Sequence, residues 1–387
     1  MVTVLDRDEL VRRAAALVPV LRSRSEACER ARQCPPETID DFVREGLLQI
    51  CQPHRYGGHE LGWDVLCVVS QTLARGCGSQ AWVHNVFSDH CQKVGVFSLQ
   101  AQDDVWGDDP AARISASFDP VGKGEVVEGG VSYSGGHGFS SGIDHAQWIL
   151  CGGHRYRDGV RLERCFFLLR KEDVAVIDDW YVVGFAGTGS KSFEAKNVFI
   201  PEHRILRGAD ADEGTGPGAQ VNAAPIFRLP RGGITSTGFA AVAVGIAEGF
   251  LEEYMLYTRP RTSRGTPIAD LMGTHIGVGV ACAEIQTAAM IYLESARKAM
   301  RMVETGQPIG KEQKLRAKRD SGFAAQLCLT AAMRLFNSAG GRALSLEGAM
   351  QHQLRDLMAA ASHHSIVWDS VTAEYGKYAL EIEEVER

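Results

Sequence analysis

No glycine-rich phosphate loop opens a helix anywhere in this chain of 387 residues. No GxGxxG follows an expected strand and no GxxxxGK[ST] occurs, which disfavours a Rossmann dinucleotide fold and a P-loop. A basic excess is also missing. The 41 lysines and arginines face 48 aspartates and glutamates, for a net charge of −7, the opposite of the balance that binds nucleic acid. The ten cysteines form no CxxC pair and no Cys/His zinc-finger spacing. Scattered through a long chain, they read as reduced thiols rather than a disulfide framework or a metal site. The first residues, MVTVLDRDELVRRAAALV, carry charges through their apolar pattern and lack a signal-peptide core. The longest weakly polar run, Gly238 to Gly249, contains Glu248 and is shorter than the roughly 20 residues that span a bilayer. The expectation is a cytoplasmic protein with no membrane partner, no nucleic-acid partner and no metal. Low-complexity tracts and short repeats are absent as well.

What is present is ordinary globular material. Hydrophobic residues make up 45% and charged residues 23%, enough for two or three domains with sizeable cores. Three zones follow one another. Residues 1–108 read as helical: Leu10, Val11, Ala14, Leu17, Val18 and Leu21 share one helix face. Pro36 opens a second helix and Gly46 closes it. Further helices are expected from Asp64 to Arg75 and from Ala81 to His90. Residues 109–218 hold short β-rich runs separated by turn signals such as Asp119-Pro120, Gly129-Gly130 and Asp158-Gly159, which predicts a central antiparallel β domain. Ala209 to Pro217 reads as a polar linker. Residues 219–387 are helical again, with long runs over Ile234–Tyr257, Asp270–Thr305 and Lys311–Ala339, and a last block from Gly348. The order predicts an α+β fold with segregated layers.

This order, with its motifs, resembles the acyl-CoA dehydrogenase fold over nearly the whole chain. The motifs are Pro36-Glu37, Glu45-Gly46-Leu47 and Pro53…Tyr56-Gly57-Gly58; Gly138-Phe139-Ser140-Ser141-Gly142 before Asp144-His145-Ala146; and Gly187-Thr188-Gly189-Ser190 leading to Asn197–Pro201. The run Tyr257–Ile268 (YTRPRTSRGTPI) and the pairs Gly340-Gly341 and Arg355-Asp356 complete them. The resemblance implies an N-terminal helical domain, a central β domain and a C-terminal four-helix bundle. An acyl-CoA dehydrogenase needs a carboxylate to take the α-proton of a thioester. No Asp or Glu lies between Ala223 and Ala247, and the other position that the family uses holds His363 or His364.

That departure is similar to another branch of the fold, the two-component flavin-dependent monooxygenases. These include the oxygenase components of 4-hydroxyphenylacetate hydroxylase and secosteroid phenol hydroxylase. The residues that carry the likeness are Ala361-Ser362-His363-His364…Trp368-Asp369…Tyr375-Gly376, Ser115–Pro120, Phe139–Gly142 and Pro201–Arg204. The resemblance implies an oxygenase fed with reduced FMN or FAD by a separate NAD(P)H-dependent flavin reductase. Such an enzyme reacts the flavin with O2 to a C4a-hydroperoxide and hydroxylates a phenolic compound. It implies a homotetramer that shares its flavin sites between subunits.

The same resemblance implies roles for residues. His363, with His364 as the second choice, would remove or hold the phenol proton; histidine titrates near neutrality and suits that task. His90 would face the phenol oxygen, with Ser115 or Ser117 adding a hydroxyl. Ser140, then Ser141, would hydrogen-bond the reacting edge of the flavin, and Phe139 would pack beside its ring. Trp82 and Phe336 would line the same pocket, and Ser190 and Lys191 the flavin site. Arg261 would pair with flavin phosphate, and Gly340 and Gly341 would allow close approach of backbone. His137, His145, His154 and His203 read as structural or solvent-facing. Three other readings stay open: N-hydroxylation of an amine or amino sugar, an acyl-CoA dehydrogenase with a relocated base, and a catalytically silent binding partner.

Overall fold

The structure is a computed structural model and describes residues 5–382. The first hundred residues form five helices: α1 (Arg7–Ala31), α2 (Pro36–Arg44), α3 (Trp63–Ala74), α4 (Gly78–Gly95) and α5 (Leu99–Trp106). Asp6 caps α1 by accepting the Glu9 N–H at 2.9 Å. Proline takes the first position of α2, and Gly46 follows that helix with φ +72°, as the sequence leads one to expect.

The sheet comes next: β1 (Ile114–Val127), β2 (Gly130–Ser140), β3 (Trp148–Arg157), β4 (Val160–Arg170), β5 (Val174–Ile177), β6 (Lys191–Pro201) and β7 (Ile205–Arg207). Its order is β5-β6-β2-β1-β3-β4-β7. All neighbours are antiparallel except β1 and β3, which run parallel with Ile114 beside Trp148. The mostly antiparallel sheet read from the sequence is what forms, and its one parallel pair has a local reason. β2 ends level with the start of β1, so the short link Ser141–Gln147 crosses that end and β3 sets off alongside β1. Asp119-Pro120, read as a turn between strands, lies inside β1, where the register with β3 shifts between Ser117 and Gly122. Alternate residues of β4 face opposite cores. Phe166 and Leu168 pack toward α4 and α5, and Cys165, Phe167 and Leu169 pack on the other side.

The segment read as a linker folds into two short helices, α6 (Gly208–Glu213) and α7 (Pro217–Val221). It is packed rather than loose: a Cβ at Gly218 would sit 2.1 Å from the Gly95 carbonyl oxygen. The remaining helices are α8 (Ser236–Thr258), α9 (Met272–Glu304), α10 (Lys311–Ala339), α11 (Ala349–Ala361) and α12 (Trp368–Ala379); a two-residue hairpin pair, β8 (Thr262–Ser263) and β9 (Thr266–Pro267), links α8 to α9. Helices α8 to α11 form a bundle that shares one hydrophobic core with α1 to α4. All ten cysteines are free and only Cys282 is exposed. Helix α9 is long and apolar enough to cross a bilayer by length and composition, with a mean hydropathy of 1.5 over its best window. It fills the long helical run that the sequence places over Asp270–Thr305.

Helix α4 is buried along its whole length. It nevertheless carries Asp89 and Lys93, paired at 2.9 Å one turn apart, and burial lowers the lysine's pKa. Breaking such a pair leaves one charge uncompensated in a low dielectric. Asp89→Leu should therefore cost about 3–5 kcal/mol, and Asp89→Leu with Lys93→Met should recover most of it. Urea unfolding measures both; a single variant as stable as the parent would refute the pairing.

Candidate active site

The crossing link between β2 and β3 lies directly on α4. A Cβ at Gly142, whose φ is +71°, would sit 2.7 Å from the Phe87 ring, so glycine alone allows the approach. The contact brings three parts of the chain to one place: α4, the Phe139–Gly142 turn and the Phe185–Ser190 loop.

Two hydrogen-bond chains order this region. In the first, Ser115 Oγ donates its one proton to the Ser141 carbonyl at 2.9 Å and lies 2.7 Å from Ser140 Oγ. Ser140 must then be the donor between the two hydroxyls, and its oxygen keeps only lone pairs to offer. In the second, Trp82 Nε1–H donates to Ser141 Oγ (3.2 Å), which contacts Ser190 Oγ (2.7 Å), which contacts Thr188 Oγ1 (2.6 Å), which donates to the Phe185 carbonyl (2.8 Å). Each hydroxyl has one proton, so the direction runs from Trp82 to Phe185 throughout. Ser115, Ser141 and Ser190 thus spend their protons inside the protein. Lys191 is likewise committed, at 2.9 Å to Asp144. The Phe185 loop is held by Asp356, whose Oδ1 accepts the Phe185 N–H at 2.7 Å, and by Arg355, which donates to the Val183 carbonyl at 2.6 Å.

An aromatic cluster stands beside the chains. The Trp82 ring lies 4.7 Å from Phe185, 4.8 Å from Phe239 and 5.3 Å from His363. His363, in the turn after α11, packs 4.0 Å from Phe239 and 4.4 Å from His364. Its Nδ1 accepts the Ser365 N–H at 3.3 Å, so the neutral ring carries its proton on Nε2. Burial, with His364 adding to it, pushes its pKa down to about 3. Such a ring stays neutral near pH 7 and is a poor proton acceptor, against the expectation that it is the base. His364 stands at the solvent side. Burial lowers it too, while Asp119 favours its charged form and Arg231 and Lys318 oppose it.

His90 has the complementary arrangement. Its Nδ1 lies 2.6 Å from the Ile114 carbonyl, which accepts only from an N–H. The proton is therefore on Nδ1, and Nε2 carries a free lone pair. Burial lowers the pKa of this ring as well. The ring meets Phe118 edge-on at 5.6 Å. Alternation along β1 puts Ser115 and Ser117 on the face opposite Phe118. Ser115 is thus engaged elsewhere, and Ser117, 7% exposed, makes no hydrogen bond among the described residues.

The remaining expected flavin residues fall into two groups. Phe139 is 75% exposed with φ 59° and meets Trp180 edge-on at 5.7 Å. Arg261 lies at the other end of α8, where it stacks on Tyr257 at 4.2 Å and donates to the Ala339 carbonyl at 2.6 Å. Gly340 is beside it, with Gly341 next in the chain and open around its Cα. From Phe239 to Thr258 the helix rises about 28 Å. Phe336 belongs to this far end: it packs on Phe250 at 6.5 Å and does not join Trp82, contrary to expectation. The periodicity of α10 could not show which part of α8 it would meet. The sequence reading missed Phe185 and Phe239. Phe239 sits in the very stretch searched for a carboxylate, and a search for charged groups passes over it.

Two family models match the chain: acyl-CoA dehydrogenase, N-terminal domain, over residues 8–106, and acyl-CoA dehydrogenase, C-terminal domain, over residues 237–368. The class is therefore the acyl-CoA dehydrogenase fold. The flavin-dependent monooxygenase oxygenase subunit HsaA of Rhodococcus jostii (strain RHA1) is 32% identical over 356 residues, covering 91% of this chain and 93% of that protein. The oxygenase component of the FADH2-dependent resorcinol hydroxylase of Rhizobium sp. (strain MTP-10005) is 31% identical and covers 97% of this chain and 94% of its own. The crystal structure of 3-HSA hydroxylase from Rhodococcus sp. RHA1 matches with a TM-score of 0.93 at 30% identity, over 98% of each chain. The chain belongs to the flavin-dependent monooxygenase oxygenase components.

The residues fit a flavin. Phe139 offers an uncovered aromatic face, and Ser140 an acceptor for a ring N–H. Arg261 has no carboxylate partner among the described residues and suits a phosphate.

The depressed histidine has a measurable consequence. Unfolded, His363 titrates near 6.5; folded, near 3. Above pH 6.5 both states are neutral and the ring is silent. As pH falls from about 6.5 toward 3, only the unfolded chain takes up the proton, so stability declines by up to about 1.4 kcal/mol per pH unit. His363→Asn should reduce the slope of unfolding free energy against pH between 4 and 6 by about one proton. An unchanged slope would show that the ring is not held neutral.

Proposed function

We propose that this oxygenase component hydroxylates a phenol, with His90 holding the phenol proton. The observation that carries the reading is the His90 tautomer: Nδ1–H on the Ile114 carbonyl leaves Nε2 as a fixed acceptor. A neutral imidazole accepting from the phenolic O–H raises electron density on the ring carbon that is to be oxygenated. Reduced FMN or FAD, when bound, supplies the activated oxygen from O2; the name of the resorcinol hydroxylase relative favours FAD. A separate flavin reductase provides it, as the oxygenase-component names of the relatives imply.

The chain's own groups divide the remaining work. Ser140, a lone-pair donor only, would accept a ring N–H of the bound flavin. His363, with its proton on Nε2 and a pKa near 3, donates a hydrogen bond to an oxygen and removes nothing. His364 is the second choice for that role. Trp82, Phe185 and Phe239 exclude water from the same face, and Phe139 covers the ring edge. Arg261, Gly340 and Gly341 serve the flavin phosphates of a neighbouring subunit, since one chain separates them from Ser140 by the length of α8. On this reading the chain assembles as a homotetramer. The outer face of α9 supports it: Met272 (72% exposed), Ile276 (59%) and Val280 (39%) recur every four residues as an uncovered stripe. The same stripe accounts for the apolar composition of α9 without a membrane. The acyl-CoA dehydrogenase reading has no base, because neither Ser236–Ala247 nor the turn after α11 holds a carboxylate. Amine oxidation is not favoured, since the relatives are aromatic hydroxylases.

With reduced flavin and 18O2, the protein should place one labelled oxygen in a simple phenol and none in an alkylamine. His90→Ala should lower phenol oxygenation about 10²–10⁴-fold while hydrogen peroxide release continues. Full coupling in that variant would remove His90 from the role, and unlabelled product from every phenol would end the reading.

A further inference from the structure

A strained residue heads the Phe185–Ser190 loop. Phe185 has φ 59° and ψ 27°, the left-handed region that a residue with a Cβ disfavours. Such backbone persists only where its surroundings over-determine it. Here the N–H donates to Asp356 Oδ1 at 2.7 Å. The carbonyl accepts from Thr188 Oγ1 at 2.8 Å, from the Thr188 N–H at 3.1 Å and from Trp180 Nε1 at 3.0 Å. The loop is also wedged between helices. A Cβ at Gly184 would sit 2.1 Å from the Arg355 carbonyl oxygen of α11, and one at Gly187 would sit 2.2 Å from Cys28 Sγ of α1.

Every bond at Phe185 leads toward the flavin side except one. Thr188 ends the hydroxyl chain that starts at Trp82. Trp180 meets the exposed Phe139 ring edge-on at 5.7 Å, and the Phe185 ring lies 4.7 Å from Trp82. The exception is Asp356, which is 2% exposed on α11, about two turns before His363. Its other oxygen accepts from Ser79 Oγ at 3.3 Å and lies 3.7 Å from His352 Nε2. Burial raises its pKa, while His352 and the Phe185 N–H work against that rise. A carboxylate in such a place is costly, and an apolar side chain would pack as well. An apolar side chain could not accept the Phe185 N–H.

We propose that Asp356 is a positioning residue of the oxygenation reaction. By accepting the Phe185 N–H it holds the left-handed turn from which Thr188, Trp180 and the Phe185 ring set the wall of the flavin site. The inference rests on the flavin oxygenase class and not on the phenol reading. A wall that gives way admits water. The two electrons and two protons of the reduced flavin then leave with O2 as hydrogen peroxide, and no oxygen reaches a substrate.

The test compares the parent with Asp356→Asn, which keeps an acceptor oxygen, and Asp356→Leu, which keeps the volume and loses the acceptor. Amide hydrogen exchange without flavin reads Phe185 directly. Hydrogen peroxide release from reduced FAD and O2, without substrate, reads the wall. In the parent the Phe185 amide should exchange about as slowly as the middle of α11. In Asp356→Leu it should exchange about tenfold or more faster, with peroxide release faster by a similar factor, and Asp356→Asn should stay near the parent in both. A thermal melt reports whether the leucine variant folds; if it does not, exchange in the parent and peroxide release by Asp356→Asn decide. A parental Phe185 amide that exchanges as fast as the exposed Val182–Val183 stretch would overturn the proposal. So would a folded Asp356→Leu with parental peroxide release, or an Asp356→Asn no slower in release than a protein that has lost the acceptor. None of these results touches His90, which phenol oxygenation tests.

Discussion

A helix buried on every side cannot carry an unpaired polar group without a large penalty, and α4 carries many. Most of them are therefore tied to neighbours. His84 contacts the Leu47 carbonyl at 2.9 Å and Ser70 at 3.1 Å. Asp89 holds Lys93, Trp82 donates to Ser141, and His90 donates to Ile114. These ties join the helix to the N-terminal loops, to the crossing link of the sheet and to its first strand. The same requirement that anchors the helix sets the chemistry of the site. A buried His90 must stay neutral and must give its one proton to the carbonyl it faces, so its other nitrogen becomes an acceptor.

The site is defined as much by what is spent as by what is free. Ser115, Ser141, Ser190, Thr188 and Lys191 use their polar atoms to lock two loops against α4. Among the groups left uncommitted in the described residues around it are the oxygen of Ser140, Nε2 of His90 and Nε2 of His363. They offer two acceptors and a donor. In the proposed reaction these meet a reduced ring N–H, a phenolic O–H and an oxygen. Arg261 stands apart at the far end of α8 and, in the proposed assembly, serves a neighbouring subunit.

Much of this was legible in the sequence. Helix periodicity and the order of zones follow from where apolar residues can be buried, and the motif run from Gly138 to Gly142 marks a turn that only a close approach to a helix requires. The absence of a carboxylate near Thr235 and its replacement by His363 and His364 already separate oxygenation from dehydrogenation. Other features were not legible, because they depend on which partner a side chain meets. The tautomers of His90 and His363 emerge only once each ring's hydrogen bond is known, and no spacing reveals them. That Phe336 meets Phe250 was hidden, because a helix pattern shows a face and not its opposite number. The parallel pairing of β1 and β3, and the folding of Gly208–Val221 into packed helices, arise from contacts between segments far apart in sequence.

The central claim is that His90 is a neutral acceptor at Nε2, held so by its bond to Ile114. Nitrogen-15 NMR of the histidine rings reads this without substrate or turnover. The prediction is a His90 ring protonated on Nδ1, with Nε2 bare, and no imidazolium between pH 6 and 8. A ring protonated on Nε2, or one that is cationic at neutral pH, would contradict it.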